Sequence, residues 1–177
     1  MKRTHLAAAV LALLAAVPAA AQGDRPVTIG AFHYVHQTDP ITDADASAVV
    51  VDEQAQSFMK SMMLWRCEKD GYSIAVRTHL FTMDDEVATE WRFDQEEPQQ
   101  GAWQVTQSHD MWVPSDVAND FTEGARRARR VAIRFTLASG EQQTVIFPLT
   151  GASAAFARLP CLDWRNYPQN DTTASQR

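Results

Sequence analysis

The sequence is poor in cysteine and has no long apolar run. Its two cysteines, Cys67 and Cys161, allow one intrachain disulfide at most. The longest apolar run covers residues 6–17, and about a dozen residues are too few for a membrane-spanning helix, which needs roughly 20. The sequence therefore predicts a protein that does not span a membrane and that contains either one disulfide or two free thiols.

The chain also lacks an excess of positive charge. It contains 16 lysines and arginines against 22 aspartates and glutamates, which gives a formal net charge of -6. Because a protein that binds nucleic acid must neutralise phosphates with a positive face, this balance argues against nucleic acid as a partner. No internal repeat and no nucleophile motif is present in the sequence, so no active site can be recognised from it.

The N-terminus has the features of a secretory signal peptide. Basic Lys2 and Arg3 precede the apolar run, and small residues follow it up to Ala21. This order predicts cleavage after Ala21. Removal of residues 1–21 takes away two basic residues and no acid, which moves the formal charge from -6 to -8. We therefore expect an acidic protein that is periplasmic or secreted.

Export decides how the two cysteines are interpreted. In an oxidising compartment a lone pair of cysteines is expected to form a disulfide, and a bond between Cys67 and Cys161 would close nearly all of the folded domain into a loop. In the chain-entropy model such a bond stabilises the fold by roughly 4–5 kcal/mol. The alternative is a reactive catalytic cysteine, which needs a nearby base and protection from oxidation.

Alternation of apolar and polar residues predicts a series of short strands. The clearest case is residues 87–94, where Val87, Thr89, Trp91 and Phe93 share one face and the intervening residues share the other. Polar turns that contain Pro or Gly separate the segments, as in antiparallel meanders. The predicted strands cover residues 27–37, 46–52, 62–67, 72–77, 87–94, 102–107, 131–135 and 143–149.

Two helices interrupt the strands. The first is predicted to begin at the capping sequence Pro114-Ser115-Asp116 and to end in a run of arginines, with Val117, Phe121 and Ala125 on one stripe. Residues 151–158 form a second, Ala-rich helix that leads to the last cysteine.

The succession of these elements predicts a mainly β fold. We expect an antiparallel β-sandwich or partly open barrel with one or two short helices and one disulfide. A single β-rich domain is expected to cover residues 22–164. The polar sequence of residues 165–177 predicts a disordered tail.

The order of several short motifs resembles a known group of exported proteins. The sequence LWRC at residues 64–67 precedes a hairpin, WRFD stands at 91–94, and VIFPLTG at 145–151 lies ten residues before Cys161. This order resembles the VasI-type proteins associated with bacterial type VI secretion and related uncharacterised periplasmic β-domains. The resemblance covers about residues 27–161. It implies a periplasmic β-domain with a role in secretion, and it supplies no catalytic residues.

Two groups of titratable residues suggest chemistry, each with a simpler alternative. His109 and Asp110 have the composition of a base with its orienting carboxylate, but catalytic geometries of this kind are assembled from distant segments. Asp39, Asp43 and Asp45 could hold Ca²⁺ through carboxylate oxygens, although the spacing lacks the Gly and the terminal Glu of an EF-hand loop. Turn formation is the simpler interpretation of these aspartates. We expect no metal and no cofactor.

The densest charge run in this acidic chain is basic, and it is the candidate binding site. It consists of Arg126, Arg127, Arg129 and Arg130 at the end of the first predicted helix. Cations are favoured at a helix C-terminus, where they bond the last carbonyl groups, and this accounts for part of the run. The rest is a candidate docking site for an anionic partner, such as an acidic protein face or a lipid headgroup region.

Taken as a whole, the sequence predicts a binding protein and not an enzyme. We expect an exported, non-catalytic binding or accessory protein of the bacterial cell envelope, associated through the resemblance with type VI secretion, with an envelope protein as its partner. The alternative is an inhibitor of a foreign hydrolase such as lysozyme, because a small disulfide-linked β-domain is suited to presenting a rigid loop to a cleft. A hydrolase is the third class, for which the sequence shows no site.

Overall fold

The computed structural model describes residues 25–55, 60–79, 82–106 and 109–162. Within these ranges ten strands, all paired antiparallel, form one sheet that two short helices accompany. The sheet is not closed. The predicted mainly β fold class is therefore confirmed. The predicted signal peptide at residues 1–21 and the predicted tail at residues 165–177 lie outside the described residues.

The strands lie across the sheet in the order β1-β2-β3-β4-β5-β8-β7-β6-β9-β10. Chain order is broken after β5. The chain next forms β6, with two strand positions between it and β5, returns through β7 to β8 beside β5, and then passes through a helix to β9 on the far side of β6. The strands are β1 (Val27–Ile29), β2 (Phe32–Val35), β3 (Ala48–Asp52), β4 (Met62–Glu68), β5 (Gly71–Arg77), β6 (Glu86–Phe93), β7 (Gln99–Thr106), β8 (Asp110–Trp112), β9 (Arg130–Thr136) and β10 (Gln142–Pro148). The helices are α1 (Ser115–Arg127) and α2 (Ala152–Phe156), and a short 3-10 helix spans Pro160–Leu162.

One face of the sheet carries the core. In β6 the residues Val87, Thr89, Trp91 and Phe93 are buried while Arg92 is exposed, which confirms the predicted two-residue period. Aromatic rings from several strands converge on this face: the ring of Trp91 lies 5.7 Å from that of Trp103, centroid to centroid. The opposite face of the same strands is therefore the surface on which polar side chains are displayed.

Helix α1 packs on the core face through Phe121, whose ring is surrounded by Trp65, Trp91, Phe93 and Trp103. The N-cap of the helix is Pro114, within the predicted capping sequence, and it makes no side-chain hydrogen bond. At its end, Gly124 lies so close to Phe93 that an added Cβ would be 2.4 Å from the ring. The C-terminal part of α1 is thus packed tightly against the end of β6.

The two edges of the sheet approach one another without pairing as strands. The amide of Gln54, just after β3, donates to the carbonyl oxygen of Ile146 in β10 at 2.8 Å. The amide of Ala31 donates to the carbonyl oxygen of Thr150 at 2.8 Å. Gly30 has a φ of +61°, and a Cβ on it would meet the Thr150 oxygen at 2.2 Å. The chain therefore requires glycine at position 30 for this close backbone contact.

The disulfide between Cys67 and Cys161 is present, with Cα atoms 5.5 Å apart, and the predicted pairing is confirmed. The closed loop has a sequence separation of 94 residues. The expectation that it encloses nearly all of the domain is wrong, because β1, β2 and β3 lie before Cys67. These three strands are held by pairing and packing alone.

The sequence was misleading at two strands. Residues 27–37 form a hairpin, β1 and β2, because Gly30 turns the chain in the middle of the apolar segment. Strand β8 was not predicted: it has three residues and begins with Asp110, which is buried in a pair with Arg77. None of the helices in the described ranges is long and apolar enough to cross a membrane.

Candidate functional site

The four arginines of the predicted cluster separate into two groups. Arg126 is half-buried in the last turn of α1, where its guanidinium lies 5.4 Å from the centre of the Phe156 ring. Its Nη2 donates to the carbonyl oxygen of Leu162 at 3.3 Å, and its Nε lies 3.1 Å from a carboxylate oxygen of Glu123. Arg126 therefore links α1 to α2 and to the 3-10 helix, and its role in binding stays a prediction.

Arg127, Arg129 and Arg130 are exposed. Among the described residues none of the three forms an ion pair. Helix α1 ends at Arg127, so Arg129 and Arg130 lie beyond its last turn. Their charges are available to a partner.

Asp94 holds the backbone that carries Arg129 and Arg130. It follows β6 with a φ of +47°, and both of its carboxylate oxygens accept a hydrogen bond from the amide of Arg129 at 3.1 Å. One of these oxygens also accepts from the amide of Arg130 at 3.1 Å. The arginine backbone is thus fixed from another strand, while the guanidinium groups stay free.

These residues line a hollow of about 660 Å³ on the surface, which we call the arginine hollow. It is assembled from the chain after β3, the turn after β6, the start of β9 and the end of β10. Its lining residues are Gln54, Asp94, Gln95, Arg129, Arg130, Pro148 and Thr150. Two arginines and one aspartate leave one positive charge uncompensated, so the hollow suits a single anionic group.

A further arginine extends the positive surface along the sheet. Arg92 in β6 pairs in register with Ala132 in β9, and Arg130 is two residues before Ala132 on the same face. Diagonal neighbours of this kind lie about 7–8 Å apart at their Cα atoms, within reach of long side chains. The next arginine along β9, Arg134, is already paired with Glu90 at 3.1 Å. Unpaired positive charge, from Arg92 and Arg130, therefore lies at the end of β6 and the start of β9, next to the arginine hollow.

The carboxylate of Asp110, the predicted partner of His109 in a catalytic pair, is bound to Arg77. Asp110 is 7% exposed, and both carboxylate oxygens accept from Arg77, at 2.7 Å from Nε and 2.9 Å from Nη2. The hydrogen bond and the charge of Asp110 raise the pKa of Arg77 above its ordinary value. A bidentate pair of this kind accounts for the burial of Asp110. Ser108, which precedes His109 in the sequence and is the neighbouring candidate nucleophile, lies outside the described residues.

The aspartates of residues 39–45 shape a loop, as their turn-forming character predicted. One carboxylate oxygen of Asp39 accepts from the amides of Ile41 at 2.9 Å and Thr42 at 2.8 Å, which lowers the pKa of Asp39. A carboxylate oxygen of Asp45 accepts from the amide of Ser47 at 2.8 Å. In the part of the chain that the structure describes, no three His, Cys, Asp or Glu side chains come together as metal ligands.

Comparison with known proteins identifies a similar fold and no family. No protein-family model and no curated protein matches the chain. The crystal structure of invasion associated protein B from Bartonella henselae is similar, with a TM-score of 0.56 and 11% sequence identity over 76% of this chain and 95% of that one. At this identity the likeness shows the fold alone, and the link with type VI secretion stays a prediction.

Proposed function

We propose that this chain is an exported, non-catalytic binding protein of the bacterial cell envelope that holds an anionic group of a partner in the arginine hollow. The observation that carries the proposal is the pair Arg129 and Arg130, which are exposed and unpaired within the described ranges on a backbone that Asp94 fixes. The location in the cell envelope is inferred from the sequence. The anionic character of the partner is inferred from the geometry of the two arginines.

The chemistry of the hollow favours a carboxylate or phosphate as the bound group. Guanidinium groups donate several hydrogen bonds in a fixed plane and bind such anions in a bidentate way. Because the backbone at Arg129 and Arg130 is already ordered, binding costs conformational entropy only for the two side chains. Glutamine and threonine side chains in the lining add neutral donors to the same hollow.

An overall acidic chain with a local positive hollow also gives selectivity. The formal charge of -8 that follows removal of residues 1–21 repels a uniformly acidic partner at long range, whereas the hollow attracts one acidic group at contact. Salt screens both effects, since the Debye length is about 8 Å at physiological ionic strength. We infer that the partner presents a localised acidic feature and not a broad negative surface.

Location outside the cytoplasm is supported by two features. The basic and apolar residues before Ala21 have the order of a signal peptide. The Cys67–Cys161 disulfide forms and persists in oxidising compartments such as the periplasm. Both features are consistent with a soluble role in the cell envelope.

The proposal is tested with defined anions and charge-reversal variants. Binding of a hexaglutamate peptide and of inorganic phosphate is measured by calorimetry and by NMR shifts of the backbone amides of Arg129, Arg130 and Thr150. We expect Arg129→Glu/Arg130→Glu to lower peptide affinity by at least about 10-fold at low salt, with the difference shrinking as salt rises.

The matched control is Arg66→Glu. Arg66 is an exposed arginine on β4 that pairs with Glu68 at 3.0 Å, and exposed pairs of this kind contribute little to stability. This single reversal is compared with Arg129→Glu alone. Equal losses from the two would mean that only net charge matters, and binding that is unaffected by the double reversal would remove the hollow as the site.

A further inference from the structure

The β2–β3 connection presents an apolar side chain to solvent at its tip. Ile41 is 88% exposed, the most exposed of the large apolar residues in the described ranges. Removing such a side chain from water is favourable, so its exposure carries a cost that a binding partner would relieve. Residues 39–45, with Ile41 at the tip, are called the Ile41 loop.

The side chain of Ile41 stays exposed to solvent because hydrogen bonds within the Ile41 loop fix the loop backbone. The amide of Asp39 donates to the carbonyl oxygen of Ala44 at 2.8 Å, and the amide of Asp43 donates to that of Asp39 at 2.9 Å. At the base, Thr38 and Asp45 form an antiparallel bridge. A loop with this many internal bonds presents its tip in one conformation, which reduces the entropy lost on binding.

The tip also carries one carboxylate that the loop does not use. Asp39 and Asp45 bond to backbone amides of the loop. Asp43 is exposed with a φ of +56°, and its carboxylate forms no ion pair among the described residues. The tip thus combines one apolar side chain with one free negative charge.

We propose that the Ile41 loop of one copy of this protein occupies the arginine hollow of a second copy. The proposal rests on the proposed function, since it names the partner of the same hollow. The hollow has one uncompensated positive charge, which Asp43 would neutralise by pairing with Arg129 or Arg130. Pro148 and the aliphatic stems of the arginines offer an apolar surface to Ile41.

The contact is between copies and not within one chain. Strand β2 (Phe32–Val35) separates the two features: Ala31 before it bonds to Thr150 of the hollow, and the Ile41 loop begins after it. The bridge between Thr38 and Asp45 prevents the tip from folding back along the strand. If each copy gives its loop to one neighbour and its hollow to another, the contact produces chains or rings of copies. If two copies exchange loops about a two-fold axis, the contact closes as a dimer.

Sedimentation velocity of the full exported protein, with its disulfide intact, tests the assembly. We expect the mean mass to rise with concentration at physiological salt, up to that of a dimer if two copies exchange loops and beyond it if the contacts are one-way. The loop variant Ile41→Ser/Asp43→Asn removes the apolar contact and the charge, while asparagine tolerates the left-handed backbone at position 43. It is expected to weaken association about 10- to 100-fold.

Met83→Ser is the matched control for the apolar change. Met83 is 81% exposed and lies outside the loop, so its replacement is expected to leave the association unchanged. Thermal unfolding and near-ultraviolet circular dichroism of every variant show that the fold is retained. Loss of association in Met83→Ser as in the loop variant would overturn the proposal.

Mixing the variants gives the decisive result. The loop variant retains a native hollow, and Arg129→Glu/Arg130→Glu retains a native loop, so each alone is expected to be monomeric. Together they can form one contact and no more, which predicts a 1:1 dimer that does not grow. Two variants that stay monomeric when mixed, or that associate separately, would overturn the proposal.

The hexaglutamate measurement separates this proposal from the proposed function. If the wild-type protein stays monomeric at every soluble concentration but loses hexaglutamate binding on reversal of Arg129 and Arg130, self-association is wrong and the hollow still binds an anionic partner. If reversal changes neither measurement, both proposals fail.

Discussion

The arginine hollow and the Ile41 loop use charged residues in opposite ways. At the hollow, Asp94 from a different strand fixes the backbone, and the arginine side chains are left free. In the loop, Asp39 and Asp45 fix their own backbone, and only Asp43 and Ile41 remain for a partner. The difference shows that the charged residues counted in a sequence are not all free to bind a partner. A charged side chain is free to bind when the backbone of its segment is held by a side chain from another segment, and it is not free when it holds that backbone itself.

The largest expected effect tests the core on which both regions depend. Trp91 is 3% exposed and contacts Trp103 and Phe121, whereas Arg92, next to it, is exposed and forms no ion pair among the described residues. Trp91→Ala is expected to lower the free energy of unfolding by about 3–5 kcal/mol, and Arg92→Ala by less than about 0.5 kcal/mol. Denaturant unfolding measures both. Equal effects would show that the register of β6 is wrong.

The next effect tests the backbone contact beside the hollow. Gly30→Ala places a methyl group 2.2 Å from the Thr150 oxygen in a residue with a φ of +61°. We expect a loss of about 2–4 kcal/mol in unfolding free energy from strain and overpacking together. Gly140→Ala is the control, because Gly140 has a φ of +85° and no atom within 4 Å of an added Cβ. It should cost only about 1 kcal/mol, and a cost as large as that of Gly30→Ala would contradict the role of the contact.

Asp94 and Asp43 allow the comparison of the two regions to be measured directly. Both have left-handed backbones, with φ values of +47° and +56°, so replacement by alanine loses a similar backbone preference at each. Only Asp94 bonds to amides of another segment, those of Arg129 and Arg130. We expect Asp94→Ala to cost about 1–3 kcal/mol more than Asp43→Ala in denaturant unfolding. Equal costs would mean that the carboxylate of Asp94 does not hold the hollow.

The smallest effect is a dependence of the loop on pH. Hydrogen bonds from the amides of Ile41 and Thr42 lower the pKa of Asp39 below its ordinary value of 3.8. The contribution of the carboxylate to loop order is therefore complete above that ordinary value, and it is lost as the pH falls through the lower pKa of the folded state. An NMR titration of Asp39, with hydrogen exchange at Ile41 and Thr42, measures this loss.

Asp39→Asn supplies the control for the titration. The variant has no titrating group at position 39, so the protection factors of Ile41 and Thr42, which are exchange rates corrected for the intrinsic effect of pH, should not change in the same pH range. A pKa of Asp39 at or above its ordinary value would contradict the hydrogen bonds seen in the loop.

Sequence patterns predicted the parts of the molecule that depend on local spacing. The alternation in β6 and the pairing of the two cysteines were both read correctly, as was the turn-forming role of Asp39, whose partners are two and three residues away. Strand β8 was missed because its stability comes from β5 and β7 on either side and from the buried pair with Arg77.

The arginine hollow could be predicted only in part. The arginine run was recognised, but Gln54, Asp94 and Thr150 come from segments far away in the chain, and no spacing rule connects them. Arg126 was assigned to binding because sequence cannot show that Phe156 and Leu162 engage it. Local spacing thus identified the charges, and tertiary contacts decided which of them are free.

The position of the disulfide has a mechanical consequence. If the chain is pulled by its ends, for example while a partner holds it in the envelope, the bond between Cys67 and Cys161 carries the load across 94 residues. About 320 Å of contour length, at roughly 3.4 Å per residue, therefore cannot be extended by force. Strands β1, β2 and β3 lie outside this closed loop and would yield first. The disulfide thus limits how far the protein can be extended, because the residues between Cys67 and Cys161 stay in a closed loop.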